Sequence, residues 1–311
     1  MLTYDLNGFK CGNQTYAVTL EAQDIQAKTQ DTQAAILPTA PRGYQLVSRQ
    51  LTTVTSAETM NLIARYYQDI LDRDPEPEGA AAWSEEMERI ICLNVDIKEG
   101  FIALAKLFFN SREYELQDKT NAQYVTDLYQ TFFNRAPDPA GSEYWIGRLD
   151  QGLSRNVLLN FFVYSDEFRL FMADILGSDP GRPECNLVND LYRGLQGRLP
   201  DTAGFAGWVD LMRTAMSTSE QAVRELARQI AQGFLQSAGY TLRGRTDVEF
   251  LEDLYNGILR RGAEKSEFDG WLELIQRGMG RAEVLQDFTD SVEFQLRVQS
   301  IIEAAGDPPS N

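Results

Sequence analysis

The chain contains no histidine. That removes the commonest general base, a frequent metal ligand and the usual Ser-His and Cys-His nucleophile pairs. Cysteine is scarce. Cys11, Cys92 and Cys185 are odd in number and far apart, which fits neither a disulfide framework nor paired metal ligands, and they read as reduced, mostly buried thiols. Lysine supplies only six of the 29 basic residues, and the 46 acidic residues leave a net charge of -17. A phosphate backbone is repelled by such a surface, so nucleic acid is not an expected partner. No apolar run approaches a membrane span, and MLTYDLNGFK at the start lacks the basic-then-apolar order of a signal peptide. The expected settings are therefore the cytoplasm, signal-independent secretion or a virus particle, without membrane insertion. P-loop, dinucleotide-binding and EF-hand patterns are also missing. The expectation is a non-enzyme with no cofactor, no metal and no catalytic residue.

What is present is a repeat. When Tyr67, Tyr129, Tyr192 and Tyr255 are aligned, Arg73, Arg135, Arg198 and Arg261 follow six residues later. Two residues on stand Pro75, Pro137 and Pro200, with Ala263 the exception, and then an acid: Glu76, Asp138, Asp201, Glu264. Gly79, Gly141 and Gly204 share the next position with Glu267, and Trp83, Trp145, Trp208 and Trp271 complete the block. Each unit closes on a Phe three residues before a Ser, then an aromatic: Phe108, Ser111, Tyr114; Phe162, Ser165, Phe168; Phe234, Ser237, Tyr240; Phe288, Ser291, Phe294.

Before each loop the apolar residues fall at i, i+3, i+4, i+7, the stripe of an amphipathic helix: Ile63, Tyr66, Tyr67, Ile70; Val125, Leu128, Tyr129, Phe132; Val188, Leu191, Tyr192, Leu195; Leu251, Leu254, Tyr255, Ile258. Thr55 with Glu58 and Thr246 with Glu249 read as capping boxes, Asp138 with Pro139 as an N-cap and first turn, and Gly152 and Gly278 as helix stops. Each unit therefore opens as an αα-hairpin in which Tyr and Trp pack together. A third helix over 154–164 and a fourth capped by the Ser-x-Glu-aromatic motif give about four helices per unit. Long and short units alternate, which implies a duplicated two-repeat block.

The predicted fold is all-α: four tandem helical repeats, built from a duplicated two-repeat block, with a small N-terminal β/extended arm. The expected divisions are 1–54 for the arm, 55–180 for repeats one and two, and 181–311 for repeats three and four with a short polar tail. The junction Gly177 to Pro183 marks the middle boundary. In the arm, Leu2, Tyr4 and Leu6 alternate before the turn dipeptide Asn7-Gly8, and Tyr16, Val18 and Leu20 alternate again, predicting short strands. Such a piece is too small for its own core, so it either packs on the helical body or docks on a partner.

Two groups are candidates for chemistry. Asp72, Asp74, Glu76 and Glu78 form the densest acidic cluster, but it does not recur with the repeat and reads as a solvated loop with capping acids rather than a calcium site. The recurrent arginine is the best polar candidate. A guanidinium beside Trp and carboxylates can bind an anion, yet four copies suit fold maintenance better, by bonding helix carbonyls, stacking on Trp or pairing with the loop acid. The twelve residues Tyr67, Arg73, Trp83, Tyr129, Arg135, Trp145, Tyr192, Arg198, Trp208, Tyr255, Arg261 and Trp271 are accordingly read as a structural signature.

The stretch LYQTFFNRAPDPAGSEYWIGRLDQGLSRNVLLNFFVYSDEF, Leu128 to Phe168, resembles the bacterial repeat family called domain of unknown function 4214. That family is similar to the helical domain of phycobilisome linkers and occurs in surface-layer, secreted and other cell-surface proteins. The resemblance spans roughly residues 60 to 300 as four tandem copies, clearest in unit two and weakest in unit four. It implies a scaffold and brings no catalytic residues. The expected function is a structural or adaptor protein making protein-protein contacts in a surface layer, secreted fibre or phage tail, with protein partners reached partly through residues 1–54, or as a homo-oligomer. The alternatives are an adhesin or glycan-binding module and, behind them, a phycobilisome-type linker or an acid-based hydrolase.

Overall fold

The computed structural model describes residues 56–306 and, before them, only the antiparallel pairing of Lys10–Cys11 with Gln14–Thr15. The strands expected around Leu2 to Leu6 and Tyr16 to Leu20, and the cap at Thr55, lie outside the described residues. Residues 56–306 lie in one compact unit.

Among the described residues, sixteen α-helices fall into four sets of four. Unit one holds α1 (Ser56–Leu71), α2 (Pro77–Cys92), α3 (Ile97–Phe109) and α4 (Arg112–Glu115). Unit two holds α5 (Asn121–Phe133), α6 (Pro139–Asp150), α7 (Arg155–Val163) and α8 (Asp166–Leu176). Unit three holds α9 (Pro183–Leu191), α10 (Thr202–Met216), α11 (Glu220–Gln236) and α12 (Ala238–Leu242). Unit four holds α13 (Asp247–Leu254), α14 (Lys265–Gln276), α15 (Arg281–Asp290) and α16 (Val292–Gly306). The fold is all-α, as the apolar spacing requires, and every residue of the four predicted stripes is buried.

Local signals set the boundaries. Asp138 and Asp201 cap α6 and α10, their carboxylates accepting the amides of Gly141 and Gly204 at 2.9 and 2.8 Å. Glu76 and Glu264 occupy the same place without a side-chain cap, because an extra methylene carries the carboxylate past the amide. Thr246 with Glu249 forms the expected capping box, and Thr120 with Gln123 forms one not anticipated. Gly152 and Gly278 follow α6 and α14 at φ 93° and 106°, the left-handed stop that glycine adopts without a Cβ penalty. All four closing serines cap a fourth helix, accepting the amides of Tyr114, Phe168, Tyr240 and Phe294.

The first helices pair within each half, α1 on α5 and the end of unit three's first helix on the end of unit four's first helix. The halves build this pair differently. In units three and four the helix continues from α9 and α13 into a π-helical turn, Tyr192–Gln196 and Tyr255–Leu259. Two residues past the signature tyrosine stand Asp69 and Thr131 in the first half, Gly194 and Gly257 in the second. A Cβ on Gly194 would lie 2.5 Å from the Gly257 Cα, so only glycine permits this backbone approach.

A widened π turn misaligns carbonyls, and each is met by an arginine three residues after the closing aromatic. Arg243 donates to the carbonyls of Gly194 and Leu195, and Arg297 to those of Gly257 and Ile258. The first half has Gln117 and Phe171 there and no π turn.

The junction between halves is pinned rather than free. Gly181 bridges antiparallel to Val95, and the Arg182 amide donates to the Asn94 carbonyl at 2.7 Å. Cys92 is disulfide-bonded, which corrects the expectation of three reduced thiols. Cys185 is free and buried, and burial pushes its thiol up to about 12, so it is inert.

Candidate functional site

The signature residues come together in every unit, in an arrangement that refines the expected Tyr-Trp pair. The closing Phe sits against both rings. Tyr67, Tyr129, Tyr192 and Tyr255 meet Phe108, Phe162, Phe234 and Phe288 edge-on at 4.6, 5.1, 4.7 and 5.2 Å. Trp83, Trp145, Trp208 and Trp271 approach the same phenylalanines at 6.1, 5.7, 5.9 and 5.2 Å from the outer side, half-buried. The Tyr hydroxyl fills the space above the loop glycine, where a Cβ on Gly141 or Gly204 would collide with it. In unit four Glu267 replaces the glycine, and the Tyr255 hydroxyl is held well above its usual range by burial and then by that carboxylate.

The recurrent arginine stacks on the tyrosine, not on the tryptophan. Arg73, Arg135, Arg198 and Arg261 lie 4.9, 4.9, 5.0 and 5.2 Å from the ring centres of Tyr67, Tyr129, Tyr192 and Tyr255. Its main ionic partner is the Glu of the Ser-x-Glu-aromatic motif. Arg135 grips Glu167 through two bonds of 2.8 and 3.1 Å, Arg73 grips Glu113 at 2.5 and 3.1 Å, and Arg261 bonds Glu293 at 3.1 Å and Glu267 at 2.6 Å. Unit three has Gly239 at the glutamate position, and Arg198 falls back on the loop acid Asp201 at 3.1 Å. The arginine thus clips the end of the first helix to the start of the fourth.

The residue just before each arginine has a positive φ: Asp72 at 55°, Asn134 at 52°, Gly197 at 65° and Arg260 at 56°. The acidic loop of unit one is spent on neighbours, Asp72 on Lys119 at 2.9 Å, Asp74 on Gln68 at 2.8 Å and Glu76 on Arg73 at 2.8 Å. Among the described residues no cluster of three or more potential ligands is placed to hold a metal ion.

The densest polar constellation was not anticipated. Glu99 of α3, Asp190 of α9 and Arg193 of the first π turn are buried, at 1%, 0% and 4% exposure. Arg193 bonds Glu99 at 2.5 Å, Asp190 at 2.6 Å and the Tyr164 hydroxyl at 2.8 Å. Arg260 reaches the other oxygens of the same acids, Glu99 at 2.6 Å and Asp190 at 2.7 Å, and Arg297 also bonds Asp190. Tyr164 donates to the Asn256 side chain at 2.6 Å, and both Arg193 and Arg260 lie over its ring. Five side chains of units one, three and four carry charge there, and Tyr164 of unit two closes the ring.

Electrostatics hold Glu99 ionised. Burial raises the Glu99 carboxyl, but Arg260, Arg193 and Lys98 outweigh it and keep it far below the usual range. Burial lowers Arg297 to about 10, with Asp190 opposing. Burial pushes the Tyr164 phenol up to about 12, so it stays a donor. Arg260 pays for its left-handed backbone through this network, since units one to three place Asp, Asn or Gly at that position. Outside the cluster, Lys106 bonds Asn160 at 2.5 Å, and burial, then Arg193, lowers its amine to about 7.

Sequence reasoning missed the cluster because Asp190 and Arg193 fall outside the apolar stripe of their own helix. The available signals were the glycine two residues past the tyrosine and the arginine three past the closing aromatic, both confined to units three and four.

Of the described helices, none is long and apolar enough to cross a membrane. No curated protein and no solved structure matches the chain. One family does, and its two matches start 126 residues apart, each running from the end of one unit's third helix through the whole first three helices of the next. Over residues 105–171 and 231–298, centred on units two and four, the chain is therefore similar to the family described as Domain of unknown function (DUF4214).

Proposed function

We propose that the chain is a non-enzymatic scaffold that holds protein partners in a larger assembly, with units one and three as diverged copies of the domain matched in units two and four. The observation that carries this reading is where the polar groups are spent. Each signature arginine closes its own unit, and the Glu99, Asp190 and Arg193 cluster ties units one, two, three and four together. Such chemistry preorganises a surface, and a surface that needs no ordering loses less entropy on binding. A surface layer, secreted fibre or phage tail fits this role, and residues 1–54 are a candidate docking arm.

The test is cross-linking in the native cells followed by purification of the intact chain and identification of what it carries. Stoichiometric recovery of one or a few proteins in a large complex is the expected result. Recovery as an uncross-linked monomer would overturn the scaffold reading. Deleting residues 1–54 then separates the arm: lost assembly with retained helicity supports docking, and unchanged assembly removes it.

A further inference from the structure

Two residues past each closing aromatic stands a leucine: Leu116, Leu170, Leu242 and Leu296. It is kept in all four units, as are the tyrosine, arginine, tryptophan, phenylalanine and serine of the signature, while the loop proline and glycine are each lost once. Those other residues have intrachain duties that explain their recurrence. The leucine has none of comparable kind. It is 67%, 59%, 87% and 64% exposed in the four units, among the most exposed large apolar residues described.

Helical geometry explains the exposure. In α8 the buried residues are Phe168, Met172 and Leu176, and in α16 they include Phe294, Val298 and Ile301. A residue two past the first of each set lies about 200° around the helix, on the opposite side. A polar residue there would cost the fold nothing, so four leucines are not accounted for by folding. Single exposed leucines are ordinary, but the same one in four units is a pattern.

We infer that these four leucines are docking knobs for a partner protein whose contact face combines aliphatic or aromatic side chains with lysine and arginine. Charge decides the occupant. Residues 56–306 hold 41 acidic and 25 basic residues, whereas residues 1–55 are balanced at four of each. A second copy of so acidic a body is repelled, while a basic partner is steered toward it. This rests on the scaffold reading and names its surface.

The experiment uses the full chain with L116S, L170S, L242S and L296S combined. The probe is a synthetic amphipathic helical peptide of Leu and Lys, compared with a Leu and Glu peptide of the same apolar pattern, by fluorescence anisotropy. The expected result is binding of the Leu/Lys peptide, weakened about tenfold or more in the quadruple variant and kept by L107S/L211S/L274S, which removes exposed leucines outside the repeated position. The melting temperature should not move, and L242S alone, at the most exposed site, should give a partial loss. Equal binding by wild type and quadruple variant, binding of the Leu/Glu peptide, or leucine-dependent self-association in sedimentation would each overturn the inference. Native cross-linking separates the two readings: a quadruple variant that still carries its partner sinks the knobs and leaves the scaffold, whereas a wild-type chain with no partner sinks the scaffold itself.

Discussion

The first and second halves of the helical body use one signature and join their units by different chemistry. Between units one and two, α1 meets α5 as regular helices, with Asp69 and Thr131 at the crossing and Arg65 donating to the Thr131 carbonyl. Between units three and four, two glycines let the backbones touch, π turns open, and Arg243 and Arg297 satisfy the exposed carbonyls. The acid two residues before the tyrosine shows the consequence. Asp127 is shared by Tyr114 and Lys119 near the surface, and Asp253 by Tyr240, Arg243 and Arg245. Asp190 instead receives three arginines in the interior. One repeat position thus serves a peripheral bond at Asp127 and the central ionic lock at Asp190.

The sharpest way to break this comparison is to remove Asp190. Asp190→Ala leaves one buried guanidinium, Arg193, and two partly exposed ones, Arg260 and Arg297, short of a partner and is expected to cost about 3–5 kcal/mol, against about 1–2 kcal/mol for Asp127→Ala, in urea or guanidinium unfolding. Equal losses would show that the central cluster is no special lock.

Next in size is the crossing itself. Gly194→Ala is expected to cost about 1–3 kcal/mol by forcing the π turns apart, with no comparable loss for Thr131→Ala. A neutral Gly194→Ala would show that the close approach is not required.

Smaller still is the clip. Arg135→Ala should lower stability by about 1 kcal/mol, roughly 2–4 °C in melting temperature, through the lost stacking and the Glu167 pair. Arg198→Ala should cost less, because unit three lacks the glutamate. The reverse order would contradict the assigned partners.

The smallest effect is a slope with pH. Two residues before the closing Phe stand Lys106 and Asn160 in the first half, but Gln232 and Gln286 in the second. The folded chain releases the Lys106 proton near pH 7, while an unfolded lysine holds it to about 10.4. Between those values the unfolded state binds more protons, so stability rises with pH. Lys106→Met should flatten that rise between pH 7 and 9, measured by denaturant midpoints. Glu99 acts at the other end: its depressed pKa contributes stability that is present above the usual carboxyl range and lost as pH falls through the folded value. A Glu99→Gln variant should show a shallower acid limb.

Much of each unit was legible in the residues, because its determinants are local. A stripe at i, i+3, i+4, i+7 buries against its own hairpin. An aspartate with the following proline starts a helix, and a serine three residues before an aromatic caps the next. The clip was half legible: four arginines at one position announced a structural duty. Their partners needed the fold, since Glu167 lies 32 residues from Arg135 and Tyr129 outcompetes Trp145 for the guanidinium.

The sequence by itself determined the helices, most of their caps and the number of units, since all rest on interactions inside one unit. The tertiary structure alone decided what covers the other side of each first helix. In α9 the side away from the stripe carries Asn189 and Asp190, a pattern that would face water in an isolated hairpin, yet both are fully buried. Burial of that side depends on the neighbouring units, and a charge can be kept there only where another unit brings its opposite, as Arg193, Arg260 and Arg297 do for Asp190.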